Sequence, residues 1–586
     1  MILTKLKEYV DRQMALPPNE REMELPPAMY NKRTVGWLIS LTSEGALEDC
    51  ICWKGDTKQT KKGHNIVAPD VGRTVGVKPK LLVDSAEYVL GIGRPTTKPD
   101  RLADCHGQFK ALVQTCAEET GEVVMDAIAT FYNSSDLEIA QEKFTQLLES
   151  KQFDPSETIT FRVGGKIPAH ADEGFHAIEQ FWAKYTSRGE NDGDNSQNPI
   201  MTCLVTGEET IVEQRLPFLV KGLYGGQPSG TALVSANAKA FTSYGLQNSL
   251  TSPISRDAAE RFTKALNHLL AGSNSRLSVG NTAYVFWTRE PEADPLFSML
   301  DRPDPQAVKN LMESPFSGQQ VYGTDANQFY ALALSASIAR AVVRDWLETT
   351  VPEVRDNLRR WFLYQKIIDA YGEKGKPLGV YALAASAFLD ASKDMLPAVP
   401  IALVRTALSG SRLPNDLLAK LVRRNRAERQ ITYPRAALIK LVLSTQKGED
   451  SMANMDKLNE KPDLTGKDLQ AYQCGRLLAE LESLQRAAIG KVNASLCDRY
   501  YGAASSTPAT AFPALMRNRQ AHLSKLRKSR TGTFFAIDER IETIVADLPT
   551  FPKTLNMQQQ GLFSLGYYHQ RAHQRAASKA AAAAKS

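Results

Sequence analysis

Hydrolysis, metal binding and nucleophilic catalysis need particular side chains in clusters, and this 586-residue chain holds only eight histidines and seven cysteines. His170 and His176 are six residues apart, off the i, i+4 spacing that puts two ligands on one helical face. With Asp172 they make a dispersed set on which a metal-dependent nuclease would have to draw. Cys50, Cys52, Cys105 and His106 offer zinc-type ligands, but the Cys-x-Cys pair falls in an apolar strand pattern without the Cys-x2-Cys spacing of zinc knuckles, so buried thiols are expected. Glu190, Asp192 and Asp194 resemble the start of a calcium loop that lacks its closing glutamate, which leaves a solvated polar loop. There is no His-Asp dyad and no nucleophile elbow. The residues argue against an enzyme and imply no cofactor.

Recognition chemistry is better represented. Gly222-Leu223-Tyr224-Gly225-Gly226-Gln227-Pro228-Ser229-Gly230 leads into an expected strand at Thr231 to Ser235, then Asn237, Phe241, Ser243-Tyr244-Gly245, Gln247 and Asn248. Glycines let the backbone approach a ligand, and amides and hydroxyls can bond to phosphates or base edges. It is no P-loop, because no Lys-Ser/Thr follows and the next element is not a helix. The plain alternative is a tight turn between strands, with a capped helix beginning near Ser255.

Cations gather in three places although the formal charge is only +6. The stretch Lys54 to Lys80 carries Lys54, Lys58, Lys61, Lys62, Arg73, Lys78 and Lys80 among glycines and reads as a basic, pliable loop. Lys420, Arg423, Arg424, Arg426 and Arg429 share an expected helix whose other side is Leu417, Leu418, Leu421 and Val422. Arg517, Arg519, Lys525, Arg527, Lys528 and Arg530 form a run without an acid, with Arg486 and Lys491 as candidate neighbours. A charge run is usually a solvated face. Three together point toward phosphates.

The elements that must position these residues form an α+β chain of several domains. Met1 to Leu16 spaces Ile2, Leu3, Leu6, Val10 and Met14 as a docked amphipathic helix and not a signal peptide. Hairpins are expected at Val35–Leu41 with Leu47–Trp53, and at Leu81–Val83 with Tyr88–Leu90. Helices are expected over Leu102–Glu118, Val123–Tyr132, Leu137–Ser150 and Ala171–Tyr185, with a strand at Thr158–Val163. From about Pro305 helical periodicity takes over: Ala331–Glu348, Val354–Tyr371, Val380–Asp390, Leu417–Arg429 and Ala436–Thr445. A polar linker, Lys447–Lys467, precedes helices over Lys467–Tyr500, Ala511–Arg527, Ile537–Asp547 and Leu555–Ala576, which short connections would gather into a bundle. The expected division is an N-terminal α+β region at 1–303, a helical middle at 304–446 and a C-terminal helical bundle at 452–586. Scattered, unpaired cysteines suit a cytoplasmic protein. Apolar stretches such as Gly379 to Leu389 are too short for a membrane span.

The succession Gly226-Gln227-Pro228-Ser229-Gly230, Leu233-Val234-Ser235, Asn237, Ala240-Phe241, Ser243-Tyr244-Gly245, Gln247 and Pro253-Ile254-Ser255 resembles the central signature of the large subunit of type I-C CRISPR Cascade, the Dvulg-type family. Gln560-Gly561-Leu562-Phe563-Ser564-Leu565-Gly566-Tyr567-Tyr568-His569-Gln570 resembles that family's closing motif. This chain departs from the pattern at Ala236, where an aromatic is expected, and over Asn248 to Ser252.

The resemblance implies a non-catalytic subunit of a guide RNA (crRNA) ribonucleoprotein that works with backbone and small subunits. Such a subunit reads the short PAM in double-stranded DNA, promotes R-loop formation, holds the displaced strand and recruits a separate helicase-nuclease. On that reading Lys61, Lys62, Asn65, Arg73 and Lys78, with Gln227, Ser229, Asn237, Gln247 and Asn248, stand near the PAM. Lys420, Arg423, Arg424, Arg426, Arg517, Arg519, Lys525 and Arg527 would track the displaced strand or the heteroduplex backbone. The resemblance also implies that the C-terminal helices double as the small subunit through internal translation. Lys447-Gly448-Glu449 can be encoded by a purine-rich stretch, and Met452 and Met455 follow it. The alternatives are a structural nucleic-acid-binding scaffold, or a metal-dependent nuclease.

Overall fold

The computed structural model describes every residue except 1, 18–19, 22–25, 58–59, 72–75, 95, 188–198, 291–297, 314–326, 449–451, 453, 461, 491 and 584–586. Lys58, Arg73, Glu449, Lys491 and the acidic loop with Glu190, Asp192 and Asp194 lie outside the described residues. The architecture is α+β, and the chain packs as two compact units. The first holds residues 1–222, 226–268 and 337–341; the second holds 223–225, 269–336 and 342–586.

In the first unit the N-terminal helix α1 (Ile2–Ala15) buries Leu6 and Val10 as its spacing requires, together with Tyr9, while Met14 of the expected face is exposed. Next come β1 (Tyr30–Val35), β2 (Trp37–Leu41), β3 (Leu47–Cys52), β4 (His64–Pro69), β5 (Val83–Ser85), α2 (Ala86–Val89), α3 (Pro99–Thr120), α4 (Val123–Tyr132), α5 (Asp136–Glu149) and β6 (Thr158–Val163). α6 (His176–Ser187), β7 (Ile200–Thr202), β8 (Glu209–Ile211) and α7 (Arg256–Ala271) complete it. One sheet has the order β3-β2-β6-β5, with β2 and β6 parallel. Its core gathers Trp37, Phe109, Phe131, Phe144, Phe161 and Trp182. α7 is tied to α1 by an Arg261–Asp11 ion pair of 2.6 Å.

Two expectations here are corrected. The second hairpin does not form: β5 pairs with β6, and Ala86–Val89 coils into one helical turn that buries Ala86, Tyr88 and Val89. So short an apolar run satisfies a strand and a buried turn equally, and tertiary packing decides. The stretch Lys54 to Lys80 is not one pliable loop, because β4 pairs with β1 from Val35–His64 to Tyr30–Pro69. Ile66, Ala68 and Pro69 are buried there while Lys61 and Lys62 precede the strand, exposed.

The second unit opens with β9 (Arg276–Val279), β10 (Thr282–Thr288), α8 (Ser298–Asp301), α9 (Pro305–Glu313), β11 (Gln328–Ser337) and β12 (Arg340–Thr350), the four strands ordered β9-β10-β11-β12. The helix expected over Ala331–Glu348 is therefore a strand pair. Phe329 to Ser335 are buried without a break, as in a strand covered on both faces. Trp287, Tyr330 and Trp346 stack across three strands, with ring centroids 5.3 and 5.9 Å apart. Cross-strand aromatics of this kind favour the sheet over an Ala-Leu helix.

The rest is helical: α10 (Val351–Gln365), α11 (Val380–Ala385), α14 (Asn415–Glu428) and α15 (Tyr433–Lys447) fall where the periodicity predicts helices, and α12 (Ala391–Asp394) and α13 (Ala398–Ser409) lie in a stretch where none was expected. α16 (Gly466–Ile489), α17 (Leu496–Ser506), α18 (Pro508–Ser529), α19 (Thr531–Ala546) and α20 (Met557–Ala583) follow. Among the described residues of the polar stretch before α16, Met452 and Met455 are packed, at 1% and 0% exposure, so the stretch is not a free linker there. α16 and α20 lie backbone to backbone. A Cβ at Gly475 would sit 2.0 Å from the Phe563 carbonyl oxygen, and one at Gly566 would sit 2.0 Å from that of Tyr472. The closing motif is thus core: Leu562, Phe563, Leu565, Tyr567, Tyr568, His569 and Gln570 are all buried.

His569 shows how tightly that core is specified. Its Nε2 faces the Lys457 carbonyl at 3.0 Å and must donate, so Nδ1 accepts from the Tyr472 hydroxyl at 2.6 Å and the ring is neutral. Burial first, and the nearby Arg476 charge second, push its pKa from 6.5 down to about 4. Above pH 6.5 the ring is neutral folded or unfolded, and its contribution to stability is complete. As pH falls toward 4 the unfolded chain takes up a proton that the folded chain refuses, removing about 3 kcal/mol. Urea unfolding of the His569→Gln variant should show a flatter stability profile than the native chain between pH 6.5 and 4; equal slopes would refute the assignment.

Candidate nucleic-acid interface

The glycine-rich segment is built from turns. Val220 and Thr231 exchange two backbone bonds of 2.8 Å, and Gly230 N–H closes a turn onto the Gln227 carbonyl at 2.9 Å. Asn267 of α7 anchors the base, its Oδ1 accepting from Lys221 N–H at 2.8 Å and its amide donating to the Leu219 carbonyl at 3.1 Å. The strand expected at Thr231–Ser235 is reduced to isolated bridges at Thr231 and Ala232. Ala232 exchanges its bonds with Ala339 and Ala341, at 2.8 and 2.9 Å, so the segment's hydrogen bonding is completed by residues a hundred positions away. Gly226 bridges Ile338 in the same way. The capped helix after it is as expected: Ser255 Oγ accepts from Ala258 N–H at 3.3 Å at the start of α7.

Residues 337–341 meet the segment at Gly226, through Ile338, and at Asn237, through Arg340. Arg340 donates to Asn237 Oδ1 at 2.6 Å, and its guanidinium lies 4.9 Å from the centroid of the Phe241 ring, itself 42% exposed. Beyond Phe241 the chain doubles back through Ser243 and Leu246, which bond to each other both ways. Tyr244 and Gly245 form the tip with φ of 50° and 76°, and Tyr244 is fully exposed. A bulky aromatic with positive φ is unusual and costs about 1–3 kcal/mol, which marks the tip as a place to look for function. Gln227, Ser229 and Gln247 are exposed, with no side-chain bond among the described residues, whereas Asn248 is half-buried at φ 53°. Arg340 was not among the sequence candidates, and Phe241 and Tyr244, named within the segment, were assigned no contact. Arg340 lay in an expected helix, and no local pattern connects it with Asn237.

The remaining candidates divide into free and engaged cations. Lys61 and Lys62 are exposed, Lys78 is half-buried, and Asn65 on β4 accepts from Thr34 Oγ1 at 2.7 Å. On α14, Arg423 is exposed while Lys420 lies 3.6 Å over the Phe388 ring and Arg424 pairs with Glu428. Arg426 is a strut, donating to Ser505 Oγ at 3.3 Å and to Gln560 Oε1 at 2.8 Å. On α18, Arg517 and Lys525 are exposed, Arg527 lies 6.0 Å from the Phe534 ring, and Arg519 pairs with Asp538. The helical second unit gathers a different basic set: a groove of about 820 Å³ lined by Arg486, Arg530, Arg571, Arg575 and Lys579. Glu482 holds Arg571 at 3.4 Å and Arg486 at 3.5 Å, and Glu373 holds Lys579 at 2.6 Å. Arg530 has no side-chain partner among the described residues.

The metal candidates do not converge. His170 Nδ1 accepts from the Asp172 backbone at 3.0 Å, and His176 contacts Glu179 at 3.1 Å. All seven cysteines are thiols outside any disulfide, and Cys50 and Cys105 are buried. Among the described residues no three of His, Cys, Asp and Glu are grouped to hold a metal, and no helix is long and apolar enough to cross a membrane.

No curated protein matches the chain. The sequence model of the family described as CRISPR-associated protein (Cas_Csd1) matches residues 6–575, from within α1 to within α20. A match over nearly the whole length takes in both the turn-built segment and the buried closing motif, and the chain belongs to the CRISPR-associated Csd1 family, the large subunit of type I-C Cascade.

Proposed function

We propose that this subunit reads the PAM of double-stranded DNA through the 226–248 segment. On this reading it helps the guide RNA of a cytoplasmic ribonucleoprotein invade the duplex, holds the displaced strand, and leaves cleavage to a recruited helicase-nuclease. The observation that carries the reading is the Tyr244 tip, an exposed aromatic on a bonded turn that follows Asn237 and Phe241, both contacted by Arg340, in a segment that also carries the exposed amides of Gln227 and Gln247. An aromatic wedge partly unstacks a base step, at a cost that phosphate contacts offset. Amides beside it can bond to base edges, and in the minor groove would separate A·T from G·C pairs. Lys61, Lys62 and Lys78 suit the duplex phosphates, and Arg423, Arg517, Lys525 and the α20 groove suit a single strand.

With the guide-loaded complex and a duplex library randomised beside the target, the native subunit should select a narrow set of sequences. Gln227→Ala with Gln247→Ala should broaden that set. Tyr244→Ala should weaken every member by slowing strand opening. A selection unchanged in the amide variant would remove those residues from readout. A scaffold role is favoured instead if the native complex binds all members alike.

Salt dependence separates free cations from struts. Arg530→Ala and Arg423→Ala should each lower the slope of log K against log salt for single-stranded DNA by about 0.7. Arg426→Ala should instead lower folding stability by about 1–2 kcal/mol, because Ser505 and Gln560 lose their donor. Equal slopes in all three variants would exclude the groove and the α14 face from strand binding.

We further propose that residues 452–586 are also made as a separate small subunit. Met452→Leu with Met455→Leu conserves buried volume at under about 1.5 kcal/mol per site. It should abolish a short C-terminal product in a pull-down of the complex; persistence of that product would move the start elsewhere.

A further inference from the structure

A pocket of about 530 Å³ opens in the second unit between α9, the end of α10, the loop 374–377 and Tyr433. That volume is in the range of small-molecule sites, roughly 300–1,000 Å³. Val308, Met312, Phe362, Pro377 and Tyr433 give it apolar and aromatic walls. Gln365 adds one directional polar group. Its Oε1 accepts from Leu378 N–H at 2.8 Å, and because an N–H can only donate, the amide orientation is settled. Its Nε2 is then buried without a hydrogen-bond partner on a side chain only 2% exposed. A buried donor left unmatched is costly, and an occupant of the pocket that Gln365 lines can supply the acceptor.

Among the described residues the pocket is lined by Lys309, Lys366, Lys374 and Lys376 and by one carboxylate, Asp304, which accepts from Gln306 and Ala307 N–H at the start of α9. Lys366 is paired with Asp456 at 2.7 Å. Lys374 and Lys376 are exposed on either side of Gly375, where a Cβ would meet the Ile367 carbonyl oxygen at 2.2 Å and the Tyr433 hydroxyl at 2.5 Å. Only glycine lets the loop lie this close. Tyr433 donates to the Lys376 carbonyl at 2.5 Å, so the two lysines stand on backbone fixed to the aromatic wall.

We propose that this pocket takes one unstacked base of a single nucleic-acid strand, a keto oxygen of the base accepting from Gln365 Nε2 while Lys374 and Lys376 hold the adjoining phosphates. The inference rests on the reading of the chain as a nucleic-acid-handling subunit and adds where a base would go. Aromatic walls suit the face of a base, cations at the mouth suit its phosphates, and one fixed donor suits a carbonyl. Thymine, cytosine, uracil and guanine carry such a carbonyl and adenine does not. An acidic peptide would also meet the lysines, but its own backbone N–H groups would find few acceptors on these walls.

The test uses the full chain and three labelled oligomers of equal length, oligo-dT, oligo-dA and an abasic strand, in fluorescence anisotropy. Oligo-dT should bind on the order of tenfold more tightly than the abasic strand, and more tightly than oligo-dA. Met312→Trp, which fills the pocket, should bring oligo-dT down to the abasic level without changing abasic binding. Lys374→Glu with Lys376→Glu should weaken all three. A 5-iodouracil oligomer irradiated on the native chain should crosslink to Phe362 or Tyr433, a readout independent of any variant's folding. Equal binding of oligo-dT and the abasic strand, an unchanged ratio in Met312→Trp, or crosslinks only elsewhere would overturn the proposal. Displacement of the probe by an acidic peptide with no dT preference would assign the pocket to a protein. No binding of any oligomer would instead sink the nucleic-acid reading itself.

Discussion

The contact between α16 and α20 is the constraint on which the helical unit depends. Two glycines, Gly475 and Gly566, each face the main chain of the opposite helix, so no side chain can stand between them. That approach encloses a polar cluster. Glu480, fully buried, accepts from Nε and Nη2 of Arg540 and from Gln570, while Arg476 donates to the other end of Gln570. A buried carboxylate is tolerable only when every oxygen is matched, so the cluster fixes one register of the helix pair and penalises others. α16 then packs on α17, α18 and α19, and α20 on α14 and α15. The basic groove inherits its geometry from this pair, since Arg486 stands on one helix while Arg571, Arg575 and Lys579 stand on the other.

What was legible in the sequence was whatever a local pattern decides. Val123–Tyr132 and Thr158–Val163 form as the periodicity predicts, and so does the hairpin across Thr42–Ala46, because one apolar face or one alternation suffices there. The stretch Ala331–Glu348 misleads because alternating Ala and Leu fit a helix. The aromatic stack that settles it needs partners on other strands. The closing motif shows the same limit from another side. Its resemblance to a family points to the right assembly, yet its residues pack the core.

The candidate interface was half legible. The glycines and amides of 226–248 announce turns and free hydrogen-bonding groups, and the structure places Gln227, Ser229, Asn237 and Gln247 at the surface. Arg340 was hidden, because its meeting with Asn237 and Phe241 is a tertiary event across about a hundred residues. Charge runs carried the least information per residue. Arg423 and Arg426 look alike on paper, yet one is exposed and the other braces three helices. Only knowledge of what faces a cation separates a phosphate ligand from a strut.

The Tyr244 turn also bears on the speed of search. Its two cross-turn bonds fix the main chain of the tip before any partner arrives, so docking would require little ordering of the backbone. For a subunit that, on the proposed reading, inspects many sequences and leaves nearly all of them, this favours brief visits. A rigid probe gains little from an imperfect match and departs quickly, and the time per site approaches that of the diffusive encounter. On the proposed reading, selectivity would then be a matter of residence time, set by how long a correct step keeps the ring inserted.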